Sequence, residues 1–174
     1  MALQPEANLR SVLHAETDTT RLRVAGRAAV VLRFGFFYGP DAVHTREELR
    51  LARRLHLSSV LGHDDAYCSV IHLDDAADAA LAALHAPGGT YNVVDDTPLT
   101  RFEHVDALAR ALRIRALHRL PPWLSALAGP PARTMMRSQR VSNRAFRAAT
   151  SWRPHHPDAQ SGWQDIVARV SRTT

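Results

Sequence analysis

The stretch AAVVLRFGFFYGP, residues 28–40, decides how the chain is to be read. Ala28-Ala29-Val30-Val31-Leu32 is continuously apolar instead of alternating, and such a run predicts a strand covered on both faces in a parallel sheet. Gly35 and the pair Gly39-Pro40 end it. In open parallel sheets ligands bind beyond the carboxyl ends of the strands, so Phe34, Phe36, Phe37 and Tyr38 stand where a ligand would be. The same rings also suit plain packing between loop and helix, and the stretch alone leaves both readings open.

Around that strand the pattern alternates. Residues 8–25 read as a helix, with Leu9, Val12, Leu13 and Leu22 partly on one stripe. Thr45 to Leu57 is charged, carries four leucines among arginines, and predicts a surface helix. Val70 to Leu73 is a short apolar stretch, after which Asp74-Asp75 is placed to cap an alanine-rich helix over 76–85. Pro87-Gly88-Gly89 stops that helix, and Thr90 to Val94 predicts a second sheet strand closed by Asp95-Asp96. Thr100 with Glu103 spells a capping box before Val105, Leu108, Ala109 and Leu112. Strand, helix, strand, helix is the grammar of an α/β domain with a parallel sheet. Residues 119–136 differ, with Pro121, Pro122, Pro130 and Pro131 around Trp123, Leu124, Leu127, Met135 and Met136, and predict either an apolar lid or a short packed helix.

Composition narrows the function classes. A chain of 174 residues with 45% apolar content supports one domain with a real core. No apolar run approaches the ~20 residues of a membrane helix, and no basic-then-apolar signal opens the chain, so a cytoplasmic protein without membrane contact is expected. The single cysteine, Cys68, has no internal disulfide partner and no activating motif around it. The net charge of +5 is all arginine, since lysine is absent. From Arg101 onward 13 arginines face only Glu103, Asp106, Asp158 and Asp165, whereas residues 1–100 carry 9 arginines and 13 acids. The arginines are scattered and no helix-turn-helix or zinc pattern accompanies them, so anionic small molecules fit this charge better than nucleic acid does.

Four motifs together resemble a family. LRFGFFYGP (32–40), SVIHLDDAADAALAAL (69–84), TYNVVDD (90–96) and RVSNRAFRAATSWRP (140–154) follow the order and spacing of the C-terminal half of extended short-chain dehydrogenase/reductases, the NAD-dependent epimerase/dehydratase group. The resemblance implies a Rossmann-like parallel sheet. It divides the chain into the last part of a Rossmann-like core (1–40) and a substrate-side region (41–174) of one truncated domain. It also implies NAD or NADP as cofactor, contacted by Phe34, Gly35, Phe36 and Tyr38. A small, nucleotide-linked ligand would meet Tyr38, Gly39, Pro40, Ser69, His72, Arg140 and Asn143. The Ile71-His72-Leu73-Asp74-Asp75 run resembles a hinge beside the substrate cleft, and Trp152-Arg153-Pro154 resembles the family's closing turn, with Ser151 where glycine is usual.

The departures bear on chemistry. In the family a Tyr-x-x-x-Lys pair lets lysine lower the tyrosine pKa and yields a tyrosinate base. Aligning Glu16 with the glutamate that follows this pair puts Val12 at the lysine position and Asn8 at the tyrosine position, so no catalytic residue is assigned. The eight glycines spell neither G-x-G-x-x-G nor G-x-x-G-x-x-G, the turn that lets backbone N–H groups approach a pyrophosphate. In the family that half would precede residue 1, which leaves activity absent or dependent on a partner. A non-catalytic ligand-sensing module is the alternative.

Other constellations carry less. His63-Asp64-Asp65, His72-x-Asp74-Asp75 and His155-His156 offer metal-ligand types without metal-site spacing, and no metal is expected. Ser11, His14 and Glu16 sit too close on one helix to relay as a hydrolytic triad. A central strand at 28–34 lacking one neighbour would expose an edge, which predicts either self-association or a separate N-terminal half as partner.

Overall fold

A computed structural model gives the fold of residues 10–119 and 136–173. Helix α1 (Arg10–Val24) leads into β1 (Val30–Phe34), which pairs in parallel with β6 (Gly89–Val93), Val30 opposite Gly89 and Phe34 opposite Val93. Gly35 is where the chain changes partners. Its N–H donates to Val93 O at 2.9 Å, while the next N–H, of Phe36, donates to Ser69 O at 2.9 Å. From there β2 (Phe36–Tyr38) runs parallel to β5 (Val70–His72). A Cβ on Gly35 would lie 2.7 Å from Ser69 O, so the crossing admits only glycine without a shift. From Val30 on the apolar run forms the predicted parallel strand, but all five of its residues are only partly buried and not covered on both faces as expected; the mixed α/β architecture with parallel pairing is Rossmann-like.

The helices bury their stripes on two sides. Helices α2 (Val43–Leu55), α4 (Arg101–Ala111) and α6 (Ala159–Thr173) enclose a core of Leu49, Ala52, Leu108, Trp163 and Ile166 around Tyr38 and Val70. Helices α3 (Leu73–Ala83) and α5 (Arg144–Ala149) enclose Ile71, Ala76, Ala79, Val93 and Phe146, closed by Trp152. Two further pairings are short: β3 (Leu57–Ser58) with β8 (His118–Arg119) in parallel, and β4 (Tyr67–Cys68) antiparallel to β7 (Leu99–Thr100). Two-residue strands leave too little pattern in a sequence to be read there.

Local signals act as read in one helix and differently in two. Thr100 Oγ1 accepts from Glu103 N–H at 3.2 Å while Glu103 Oε2 accepts from Thr100 N–H at 2.8 Å, the expected capping box of α4. Helix α3 begins earlier than expected, and its cap is His72, whose Nδ1 accepts from Asp74 N–H at 3.3 Å. Helix α2 is not a plain surface helix: Thr45, Glu48, Leu49 and Ala52 are buried, Leu49 and Ala52 in the core and the Glu48 carboxylate tied to Ser58 Oγ at 2.6 Å and to Ser59 N at 2.8 Å. The proline-rich stretch 119–136, read as an apolar lid or a short packed helix, lies outside the described residues apart from its ends. No helix among the described residues is long and apolar enough to cross a membrane.

Candidate functional site

Where β1 ends, three rings reach the surface and one does not. Phe36 and Phe37 are exposed, Phe37 lies 5.2 Å from the half-buried Phe34, and Phe36 lies 4.9 Å from His44. His44 Nε2 is 2.7 Å from Phe37 O, which fixes the start of α2 against this rim. Tyr38 turns inward. It is 2% exposed, its hydroxyl donates to Asp95 Oδ2 at 3.3 Å, and its ring meets His72 edge-on at 5.5 Å and Trp163 at 5.6 Å. Gly162 makes room for it, since a Cβ there would stand 2.0 Å from the Tyr38 hydroxyl oxygen. Burial first, then the Asp95 carboxylate, pushes the phenol far above its ordinary pKa, out of the range of a tyrosinate base near neutrality.

Asp95 is also buried, and burial holds its carboxyl well above the ordinary value, opposed by the Tyr38 hydrogen bond and reinforced by Asp75, Asp158 and Asp96. Its other oxygen, Oδ1, has no hydrogen-bond partner among the described residues. Next to this pair sits His104, 6.0 Å from the Tyr38 ring. Burial, and secondly Arg101, lowers its pKa to about 4. Sequence reasoning did not single out Asp95 or His104, because a strand-ending Asp-Asp and a helical His carry no pattern that distinguishes core from surface.

The His-x-Asp-Asp and His-His motifs, separate in the sequence, meet here. The Asp75 carboxylate is fully buried and accepts from His155 N at 2.7 Å, His156 N at 3.0 Å and His156 Nδ1 at 2.9 Å, while Trp152 Nε1 donates to Asp75 O at 3.1 Å. Asp75 thereby anchors the closing turn instead of capping α3. The His72 and His156 rings lie 4.0 Å apart, and the Nε2 of each is 3.8 Å from Asp165 Oδ2, too long for a hydrogen bond. Ligand-type atoms of His72, Asp75 and His156, and of His72, Asp74 and Asp165, come within 4.8 Å of one another. Arg169 already shares its guanidinium between Asp74 at 2.7 Å and Asp165 at 2.8 Å. Burial, and next the neighbouring His156, lowers the His72 pKa, so a neutral imidazole is favoured at its site.

The remaining predicted positions divide by partner. Gly39 packs on Leu73, whose Cδ1 a Cβ would approach to 2.8 Å, and Pro40 accepts from Arg46 Nε at 2.9 Å. Ser69 Oγ donates to Gln139 O at 2.9 Å and accepts from Val141 N at 3.0 Å, so it fastens the 139–141 segment to β5. Asn143 is buried, donating through Nδ2 to Val94 O at 2.8 Å and Asp96 Oδ1 at 2.7 Å. Arg140 is exposed, with its guanidinium 5.2 Å from the Tyr67 ring centroid. Phe34, Phe36 and Arg140 thus offer surface to a ligand, whereas Tyr38, His72 and Asn143 are engaged inside. On α1, Val12 is half exposed, and Glu16 binds Arg33 through two bonds of 2.8 and 2.6 Å, which holds its carboxyl below the usual range. Asn8 lies outside the described residues.

No family model matches the chain. A curated 3-diazoavenalumate denitrifying reductase from a Streptomyces species is 28% identical over 170 residues, 95% of this chain and 55% of that protein. The human epimerase family protein SDR39U1, a structure with NADPH, is similar with a TM-score of 0.72 and 24% identity, over 86% of this chain and 53% of that one. The dTDP-glucose 4,6-dehydratase of Bacillus anthracis, a structure in complex with NAD, is similar with a TM-score of 0.74 and 15% identity, over 99% of this chain and 54% of that one. The chain spans about half the length of these relatives. Its Rossmann-like α/β fold is the fold of these epimerase, dehydratase and reductase-type proteins.

Proposed function

We propose that the chain supplies the substrate-side portion of an NAD(P)-dependent epimerase, dehydratase or reductase and is inactive alone. The observation that carries this is the aromatic rim of Phe34, Phe36 and Phe37 at the carboxyl end of a parallel strand, where nucleotide-binding sheets place their ligands. The curated relative is a reductase, and solved neighbours carry NADPH or NAD, which supports a nicotinamide cofactor as the ligand of that rim. Arg140 supplies the exposed cation for the phosphate of a nucleotide-linked substrate.

The tyrosine–lysine base of the family the chain resembles is missing here. Val12 is apolar, the chain contains no lysine, and the Tyr38 phenol is buried and held protonated. These same features favour, as a second reading, a ligand-sensing module that binds without hydride transfer. Thermal unfolding of the 174-residue chain separates the outcomes, because a ligand bound only by the folded state adds RT ln(1 + [L]/Kd) to stability. Millimolar NADPH is expected to raise the midpoint and ADP is not, and Phe36→Ala with Phe37→Ala is expected to abolish the rise. No response to NADPH in a cooperative transition favours the partner-dependent or non-catalytic reading, and an equal response to ADP overturns the aromatic rim as the nicotinamide contact.

A further inference from the structure

We infer that the Phe36 and His44 rings form a second slot, separate from the nicotinamide wall, that takes the planar aromatic ring of an anionic substrate; this rests on the cofactor reading above. Successive side chains of a strand point to opposite faces of the sheet. Along β2, Phe36 and Tyr38 therefore share one face and Phe37 takes the other. The packing agrees. Phe37 lies 5.2 Å from Phe34, which packs against the core of α3 and α5. Tyr38 belongs to the core of α2, α4 and α6, and Phe36 lies 4.9 Å from His44 in the first turn of α2. The strand stands between the two pairs, so one nicotinamide ring cannot lie against both. The Phe34–Phe37 pair includes the last residue of β1 and occupies the carboxyl end of the β1–β6 pairing, the place of the cofactor ring.

The Phe36–His44 pair then has a ligand of its own, and its surroundings say which. Phe36 is 47% exposed, His44 is exposed, and their planes meet at 58° instead of lying flat on each other. A carbonyl oxygen only accepts, so the 2.7 Å contact with Phe37 O is a bond donated by His44 Nε2–H, which holds the imidazole in place before any ligand arrives. Two fixed rings at such an angle offer one offset and one edge-to-face contact to a third flat ring. Ser69 brings a cation beside them. Its carbonyl accepts from Phe36 N–H at 2.9 Å, while its hydroxyl holds Gln139 O at 2.9 Å and Val141 N at 3.0 Å, the two neighbours of the exposed Arg140. Arg46 on α2 is already tied to Asp41 at 2.9 Å and Arg147 to Asp96 at 2.7 Å. A ring seated on Phe36 and His44 with its anionic group toward Arg140 uses both features at once.

NMR titration of the 174-residue chain with 2-naphthoate, in parallel with NADPH, reads the two walls separately. Naphthoate is expected to shift the ring signals of Phe36 and His44 and to bind at least about 10-fold more tightly than cyclohexanecarboxylate, which has the same charge and no π face. Phe36 and Phe37 are both exposed, so truncating either keeps the fold. Phe36→Ala is expected to weaken naphthoate about 10-fold and leave NADPH within about 2-fold, Phe37→Ala to do the reverse, and Arg140→Gln to weaken naphthoate about 3-fold. Equal affinity for the two carboxylates, naphthoate binding that follows Phe37 instead of Phe36, or no binding at millimolar concentration each overturns the proposal. An NADPH response lost in Phe36→Ala overturns the separation of the two walls. Naphthoate binding through Phe36 without any NADPH response leaves the slot standing and counts against the cofactor reading on this chain alone. An NADPH response without naphthoate binding sinks the slot and leaves the cofactor reading intact.

Discussion

The two flanks of the β1–β2 strand are built on opposite terms. On the α1 side a helix of 15 residues has none that is fully buried, and among the described residues a carboxylate–guanidinium pair ties it to β1. On the α4–α6 side, aromatic rings, helix faces and several ionisable groups are shut away from water, among them Asp75, Asp95, His72 and His104. The first surface is cheap to alter and suited to being covered by something else. The second is a finished core whose polar groups fix the closing turn and the C-terminal helix. Strand identity alone does not distinguish them, since one chain segment, 30–38, feeds both.

The contrast can be broken most severely from the finished side. Trp163→Ala, which empties a site 2% exposed beside Tyr38 and Ile166, is expected to cost about 3–5 kcal/mol in urea unfolding of the chain. A loss below about 1 kcal/mol would mean that α6 is not part of the cooperative core. Asp75→Ala removes the acceptor of three hydrogen bonds and is expected to cost about 3 kcal/mol, with Trp152 fluorescence shifting toward that of an exposed indole as the turn loosens. An unchanged emission spectrum would contradict the anchoring role.

Two buried groups sharpen the contrast through pH with opposite signs. His104 has a folded-state pKa of about 4 against about 6.5 unfolded, so between those values the unfolded chain binds more protons. Stability therefore rises with pH through that window, and its share, about 3 kcal/mol, is lost on acidification. His72, also lowered, acts in the same sense. Asp95 is raised, so the folded chain holds the extra proton and stability falls as pH climbs above the ordinary aspartate range. Denaturant unfolding from pH 4 to 7 is expected to show a flatter profile for His104→Phe and a steeper rise for Asp95→Asn than for the parent chain. Identical profiles for the two variants would refute the opposed assignment.

The smallest effects belong to the open side. Leu22→Ser and Val24→Ser are expected to change the stability of the chain by less than about 0.5 kcal/mol, since both side chains are exposed. A loss above about 1 kcal/mol would show that α1 is already covered in the isolated chain.

Much of the frame was legible in the residues. The unbroken apolar run at 28–32, the glycine and proline stops and the Thr100–Glu103 pair act over a few residues, and short-range signals of that kind survive into the fold as strand, turns and cap. Glu16 and the departure at Val12 were also readable, because they concern residue chemistry at a motif position. The roles within the site were not. Tyr38, His72 and Asn143 carry ligand-type side chains, and only their neighbours determine whether those side chains meet a ligand or the core.

By itself, then, the sequence determined a parallel α/β domain with an aromatic strand end, no lysine base and a basic second half. The tertiary structure alone decided that Asp75 reaches across 80 residues to the His155 backbone and that Gly162 admits the Tyr38 ring. The physical reason is range. Periodicity and capping are set by neighbours along the chain, whereas burial, pKa and strand partnership are set by atoms that only folding brings within a few ångströms.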